Sequence, residues 1–462
     1  MRNKRNFLRN GWIQLRYNRR KQIIFTLISI AFVVCWICIE SINNLIPYPT
    51  MPDGANGIFN SIIGFLETMI KTIFPDFSFA NISVPNSLVA YTLLVITYIL
   101  SIVILMINPK TKRYSDNFYR ADIVNGNKET PIFLHKYPNL NDLKSQIAVF
   151  FPNGTDKDMW YKKLDGLSNS FIGKYVNGIE QKGKIFRACL SKTKFTDSPS
   201  IAWDNKLLIN DDRKIVLGKN DFGKNEILDF SLNPHVKIGA ETGGGKTTLQ
   251  KLILAQALQQ GDTVLIADLK GVDYTGIWQK LDKCIVVDNI PALHEELFKV
   301  MDEFTARKRE MHQTGVSDVD KLNKHLKRKK YNRILVVIEE ASDVLMPEAT
   351  RKKHEYADML EDIERNLTII AKQGRFANIN LFINCQRPDA RSINPDINSN
   401  LGFRICGKAD DILSNIVLNN SEAAERIPSD SKGFFVDGKH HLFQSYYIEN
   451  EDKILEDCPR KQ

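Results

Sequence analysis

Acidic residues are absent from the first twenty-one positions, where Arg2, Lys4, Arg5, Arg9, Arg16, Arg19, Arg20 and Lys21 stand unopposed. These eight cations account for nearly all of the formal net charge of +9, so residues 22–462 are close to neutral. The basic balance belongs to an N-terminal arm, which excludes net charge as an argument for nucleic-acid binding. Charge of either sign is absent from "QIIFTLISIAFVVCWICI" (22–39) and "LVAYTLLVITYILSIVILMI" (88–107). The shorter run spans about 27 Å as a helix, and neither run keeps the polar face of a long core helix. Cysteine is sparse, seven in all, and lacks metal-ligand spacing, so neither a disulfide framework nor a zinc site is expected. Cys35 and Cys38 form a CxxC inside the first apolar run, where no polar group would hold a thiolate, so they are read as packing. His440-His441 reads as strand surface rather than a ligand pair. Internal repeats and low-complexity tracts are also lacking.

What is present gives those absences an order. The two apolar runs predict a two-helix membrane hairpin. Between them Glu40, Asp53, Glu67 and Asp76 face a single Lys71, while Lys110, Lys112 and Arg113 follow the second run. Positive flanks outside the pair place both termini in the cytoplasm, as a two-pass protein of the cell membrane. The residues after Glu40 lack a small-residue cleavage site, against a removed signal peptide. Ile58 to Phe74, apolar but broken by Glu67 and Lys71, suits the outer interface.

The chain then divides into a basic arm (1–21), a membrane anchor (22–107), a small α+β domain (108–212), a motor (213–448) and an acidic tail (449–462). In the small domain "PIFLHKY", "QIAVFF" and "KIFRACL" are strand-like, and a helical pattern runs from Trp160 to Phe171. From 213 onward, "HVKIG", "TVLIADL", "CIVVD", "ILVVIEE", "NLFINCQ" and "GFRICG" alternate with helical stretches at 247–259, 292–313 and 354–374. Such alternation predicts an α/β fold with a parallel sheet covered on both faces.

One stretch carries the chemistry. "AETGGGKT", Ala240 to Thr247, fits [A/G]-x-x-x-x-G-K-[S/T] between a strand and a helix, the context a P-loop requires. Backbone N–H groups across Ala240, Glu241, Thr242, Gly243, Gly244, Gly245, Lys246, Thr247 and Thr248 would cradle the phosphates of ATP at a helix N-terminus. Lys246 would reach the β- and γ-phosphates and Thr247 would bind Mg²⁺. "ILVVIEE" supplies an apolar strand ending in acids, with Glu339 toward the Mg²⁺ shell and Glu340 polarising the attacking water. An Asp is usual where Glu339 stands. Gln386, at the tip of a third strand, is the candidate sensor of the γ-phosphate. The basic run "KHLKRKKYNR" (324–333) suits either a solvated loop or a nucleic-acid contact.

The surrounding residues resemble the FtsK/SpoIIIE family of DNA translocases. The family's LGKDxxGxxxxxDLxxxPHxxxxGxTGxGK appears here as "LGKNDFGKNEILDFSLNPHVKIGAETGGGK", Leu217 to Lys246. Its Asp-Pro-Lys matches "ADLK" at Asp268 and Lys270, its IDEFADLM matches "IEEASDVLM" (338–346), and its A-T-Q-R-P matches "NCQRP" (384–388). "EFTARKREMHQTGVSDVDKLN" follows the family's Glu…Arg…Met…Gly-Val…Asn pattern. The likeness covers roughly 213–440.

That resemblance implies a RecA-like P-loop NTPase assembling as a homo-hexamer, with DNA in the central channel and ATP between subunits. It implies an arginine finger acting on the neighbouring ATP, for which Arg404 in "NSNLGFRI" is the candidate, with Arg387 and Arg375 behind it. The sequence after the motor shows no winged-helix module, which points away from chromosome-dimer resolution. The expected protein is a membrane-anchored DNA translocase, the coupling ATPase that feeds a conjugation channel alongside relaxosome and channel proteins. "TRKK" (350–353) and the 324–333 run are its candidate DNA contacts. A partitioning translocase and a type VII-like secretion ATPase acting on protein are the alternatives.

Overall fold

The computed structural model describes residues 2–45, 86–108, 110–171, 174–385 and 393–461. The expected interfacial segment Ile58–Phe74, the sensor candidate Gln386 and Arg387 lie outside those residues. The chain divides into two compact units, one of Met1–Tyr137, Ile147–Ile172 and Ile179–Ala188, the other of Pro138–Gln146, Gly173–Gly178 and Cys189–Gln462.

In the first unit, helices α1 (Arg2–Tyr17), α2 (Arg19–Leu45) and α3 (Asn86–Met106) precede α4 (Lys110–Arg120). The basic arm is thus helical, and it packs closely: a Cβ on Gly11 would lie 2.7 Å from Met106 Cβ. Gln14 donates to Phe133 O, and Asn18 Nδ2 donates to Leu134 O at 3.2 Å. Helices α2 and α3 are long and apolar enough to cross a membrane, and their apolar windows are almost wholly exposed. They pair through Phe32 on Tyr98, Trp36 on Tyr91, and a Ser29–Tyr98 hydroxyl contact of 3.0 Å. Lys21 Nζ donates to Leu105 O at 2.6 Å and Ile107 O at 3.0 Å, closing the open end of α3. Strands β1 (Ile132–Pro138), β2 (Ser145–Phe151), β3 (Tyr175–Lys182) and β4 (Ile185–Ser191) form a sheet in the order β1-β2-β4-β3. Aromatic edges and faces fill this unit's core, with Phe118, Phe150 and Trp160 fully buried.

The second unit is built on an eleven-stranded sheet. Its strands are β5 (Ile201–Ala202), β6 (Lys214–Asn220), β7 (Asn225–Asp229), β8 (Val236–Gly239), β9 (Thr263–Ala267), β10 (Cys284–Val287), β11 (Ile334–Ile338), β12 (Ile379–Cys385), β13 (Phe403–Cys406), β14 (Phe434–Asp437) and β15 (Leu442–Tyr447). The order is β10-β9-β11-β12-β8-β13-β14-β15-β6-β7, with β5 on β15. From β10 to β13 every pair is parallel, whereas β13-β14, β14-β15, β15-β6 and β6-β7 are antiparallel. The parallel sheet expected from sequence is present from β10 to β13, and an antiparallel half extends it. The reason is length: β14 and β15 are joined by a turn too short for a crossover helix, which forces them antiparallel.

Both faces of the parallel half are buried, which is why its strands read as unbroken apolar runs. Val264, Ile266, Leu335 and Val337 point to the face covered by α5 (Lys246–Gln259). Leu265, Val336, Ile338 and Ile383 point to the face covered by α6 (Ile290–Thr314) and α7 (Ala357–Ala377). Helix α6 starts where Asn289 accepts from Ala292 N at 2.9 Å with a proline in the first turn, and stops at Gly315 in the left-handed region. The strands therefore end together, and the loops at their C-terminal edge converge.

Candidate functional site: a phosphate loop with converging acids

Strand β8 ends at Gly239 beside Cys385 of β12 and Cys406 of β13. The loop that follows is pinned on both sides, by Ala240 N to Cys385 O (3.3 Å) and Glu241 N to Lys408 O (2.8 Å). Gly243 and Gly245 have φ of +79° and +97°. A Cβ on Gly245 would also meet Gly433 backbone atoms at 3.1 Å, so conformation and space both require glycine there. Gly245 caps α5 with no side chain. The first intrahelical N–H bond is made by Leu249, to Gly245 O. The N–H groups of Lys246, Thr247 and Thr248 are left to face an anion, with the helix dipole behind them.

Lys246 is buried, and its Nζ donates at 3.0 Å to both Glu339 O and Glu339 Oε1. An ammonium has three N–H donors, so one remains for phosphate. The second oxygen, Glu339 Oε2, accepts from Asn384 Nδ2 at 2.9 Å, and Asn384 also donates to Gln250 of α5. Burial raises the Glu339 pKa above the usual carboxylate range, with Lys246 opposing the rise. Glu340 is buried and accepts from Ser342 Oγ at 3.2 Å through one oxygen.

Ala267 of β9 lies opposite Ile338 of β11, which brings Asp268 beside Glu339 at the strand ends. Asp268 Oδ2 accepts from Asp273 N (2.8 Å) and Tyr274 N (3.2 Å). Its Oδ1, on a residue 1 % exposed, has no hydrogen-bond partner. Asp268, Lys270, Glu339, Glu340 and Asp343 line one small pocket. An excess of carboxylate with an orphaned buried oxygen suits a divalent cation. The residues present thus fit ATP and Mg²⁺, with Thr247 half-buried at the first turn of α5. When bound, the cation neutralises phosphate charge.

The other candidates fall elsewhere. Arg404, aligned with Lys237 of β8, sits at the opposite edge of the sheet from the loop. Its guanidinium donates to Leu401 O (3.1 Å), Asn398 O (2.9 Å), Val417 O (3.4 Å) and Asn419 Oδ1 (3.3 Å). Arg375 donates to Ser231 O at 3.1 Å near the same edge. That edge also holds a cavity of about 800 Å³ whose lining mixes Asp212, Asp262, Lys329 and Arg333, remote from the phosphate loop. In the 324–333 run, Arg333 is spent on Asp262, Lys330 on Glu310 and Lys329 on Asp212. In 350–353, Arg351 pairs with Glu364 and Lys352 with Glu348, and Lys353 is exposed. Asp268 and Asn384 fall within motifs whose pattern assigns neither a role; the signal for both is their place at strand tips flanking the phosphate-loop strand and the acid strand.

A glycine-rich loop at a helix N-terminus, a lysine held over a strand-end acid and a mostly parallel sheet define the core as a P-loop ATPase. The family described as the central domain of the helicase HerA matches residues 227–394. The DNA translocase FtsK of Oceanobacillus iheyensis is 24 % identical over 311 residues, covering 63 % of this chain and 37 % of the relative. FtsK of Caldanaerobacter subterraneus is 25 % identical over 220 residues, covering 46 % of this chain and 29 % of the relative. The chain thus spans about a third of the length of the curated relatives it matches. The solved structure of the pCW3 conjugation coupling protein TcpA, in monomer form with ATPγS, superposes with a TM-score of 0.53 at 25 % identity, over 76 % of this chain and 99 % of that one. The ATPase core resembles those of FtsK DNA translocases, and the chain resembles the conjugation coupling protein TcpA.

Proposed function

We propose that the chain is a membrane-anchored, ATP-driven DNA translocase that serves as the coupling ATPase of a conjugative transfer channel. The observation that carries this is the convergence of the loop at Lys246 with Glu339 and Glu340, in a chain that matches the coupling protein TcpA over nearly that protein's whole structure. Helices α2 and α3 support the anchor, with both termini cytoplasmic. In a hexameric ring, Lys246 would turn its remaining N–H to phosphate, and Glu340 would orient the attacking water. Arg404 lies away from its own loop, as a group acting on a neighbour's ATP must. To act it has to release carbonyls that now hold it. Exposed cations such as Lys353 would contact DNA backbone without regard to sequence.

The test is ATP turnover of the full chain in detergent with single-stranded DNA, duplex DNA or none. DNA-stimulated turnover that Lys246→Ala abolishes supports the reading, and turnover indifferent to both DNAs sinks it. A mating assay with the Lys246→Ala chain separates conjugation from partitioning: plasmid transfer is lost while plasmid inheritance is unchanged.

A further inference from the structure

The turns joining β6 to β7 and β14 to β15 lie side by side, because Phe443 pairs with Asn220. Between them sits a cluster that the nucleotide chemistry does not use. Glu226, Asp437 and His441 each present one ligand atom, all within 4.8 Å of one another. His441 Nδ1 lies 3.3 Å from Glu226 Oε2 and 3.5 Å from Asp437 Oδ2. From these contacts we infer that Glu226, Asp437 and His441 form a binding site for a divalent transition-metal cation, best suited to Zn²⁺.

Three observations carry this. The first is distance. A charged N–H···O bond is about 2.7–2.9 Å long, and a single Nδ1–H cannot aim at two oxygens. Neighbouring ligands of a tetrahedral ion with bonds of about 2.1 Å lie about 3.4 Å apart, close to both contacts. The second is orientation. Asp437 Oδ1 is occupied, accepting from Lys439 N at 2.9 Å and His441 N at 2.8 Å. Asp437 Oδ2, on a residue 1 % exposed, receives no hydrogen bond and turns toward the cluster. The third is charge. Buried Asp221, Glu226 and Asp437 gather near Arg426, which reaches Asp221 Oδ2 at 3.2 Å. With the ring neutral, as a metal-ligating imidazole must be, one guanidinium faces these carboxylates and a bound cation would offset the difference.

The donor set also limits the ion. A ring nitrogen with two carboxylate oxygens suits zinc and its neighbours better than Mg²⁺ or Ca²⁺. Asn220 Nδ2 donates to Glu226 Oε2 at 3.2 Å and orients that ligand. His441 is 31 % exposed through its side chain, so the cluster lies beneath the surface at that ring. The bound ion would staple two hairpins, one of which runs back to the phosphate loop where Gly433 N donates to Gly244 O.

The test uses the full chain in detergent, stripped with chelator and held in excess Mg²⁺ to saturate the nucleotide site. Titration with Zn²⁺ against a colorimetric indicator should find one tight site per chain, weakened about 100-fold or more in His441→Ala and Asp437→Asn. Co²⁺ in its place should give d–d bands without thiolate charge-transfer absorption. Zn²⁺ uptake by the unaltered chain, read by calorimetry, should saturate at about one ion per chain, so the result does not depend on a variant folding. Uptake equal in wild type and variants, a thiolate band, or no uptake at all would each overturn the site.

Discussion

Strand β14 joins two buried ionic groups of opposite design. At its start, Gly433 holds the phosphate loop, where Lys246 and Glu339 are paired and their neighbours are oriented toward an anion. At its end, Asp437 enters a cluster in which carboxylates outnumber the fixed cation. The first end supplies backbone N–H groups and one lysine, and so recruits phosphate together with its cation. The second supplies oxygens and a ring nitrogen, and so recruits a cation alone. Both bury charge, which is costly unless paired, and the sign of the imbalance decides what each end takes from solvent.

Removing the charges one end at a time is the sharpest way to break that contrast. Lys246→Ala and Glu340→Gln should each lower steady-state ATP turnover by about 100-fold or more; turnover near wild type in either would remove the nucleotide end as the reaction centre. At the far end, Arg426→Met should cost about 3 kcal/mol in denaturant unfolding, because Asp221 loses its partner. The cost stays at the low side because burial already pushes the Asp221 carboxyl up to about 7, so it sheds its charge readily.

A third measurement follows pH. Burial lowers His235, whose Nδ1 accepts from Leu381 N at 2.9 Å, to about 4. The unfolded ring takes a proton near 6.5, so this contribution is full above that pH. It is lost as pH falls toward 4, by about 3 kcal/mol. His441 runs the other way: its contribution is present below 6.5 and lost as pH rises toward 10. His235→Asn should flatten the acid limb of a Tm-against-pH curve and leave the alkaline limb alone. The smallest effect concerns DNA: Lys353→Ala should reduce the salt slope of DNA binding by about 1 at most, measured by anisotropy.

The two ends also differ in how far they can be read in advance. The phosphate loop is contiguous, and a helix must follow it, so "AETGGGKT" exposes both chemistry and place. The acid strand is equally legible, since an unbroken apolar run must be buried and its first charged residues must emerge at its tip. Asn384 and Asp268 were harder, because their importance comes from neighbours across the sheet: Asn384 matters through Glu339 Oε2, and Asp268 through an oxygen left bare. The reading of His440-His441 as surface missed their carboxylate partners, since Glu226 lies more than two hundred residues away in sequence. Arg404 shows the converse. Its motif position suggested a finger, and only the fold reveals the helix-end carbonyls that hold it.

The sequence by itself determined the phosphate cradle, the alternation of buried strands and covering helices, and two apolar helices, because each is written in local spacing. Tertiary structure alone decided the antiparallel half of the sheet, the docking of α1 against Met106, and the carboxylate–histidine cluster. These depend on which distant strands become neighbours, and burial sets that by summing weak contacts over the whole core rather than by any short run of residues.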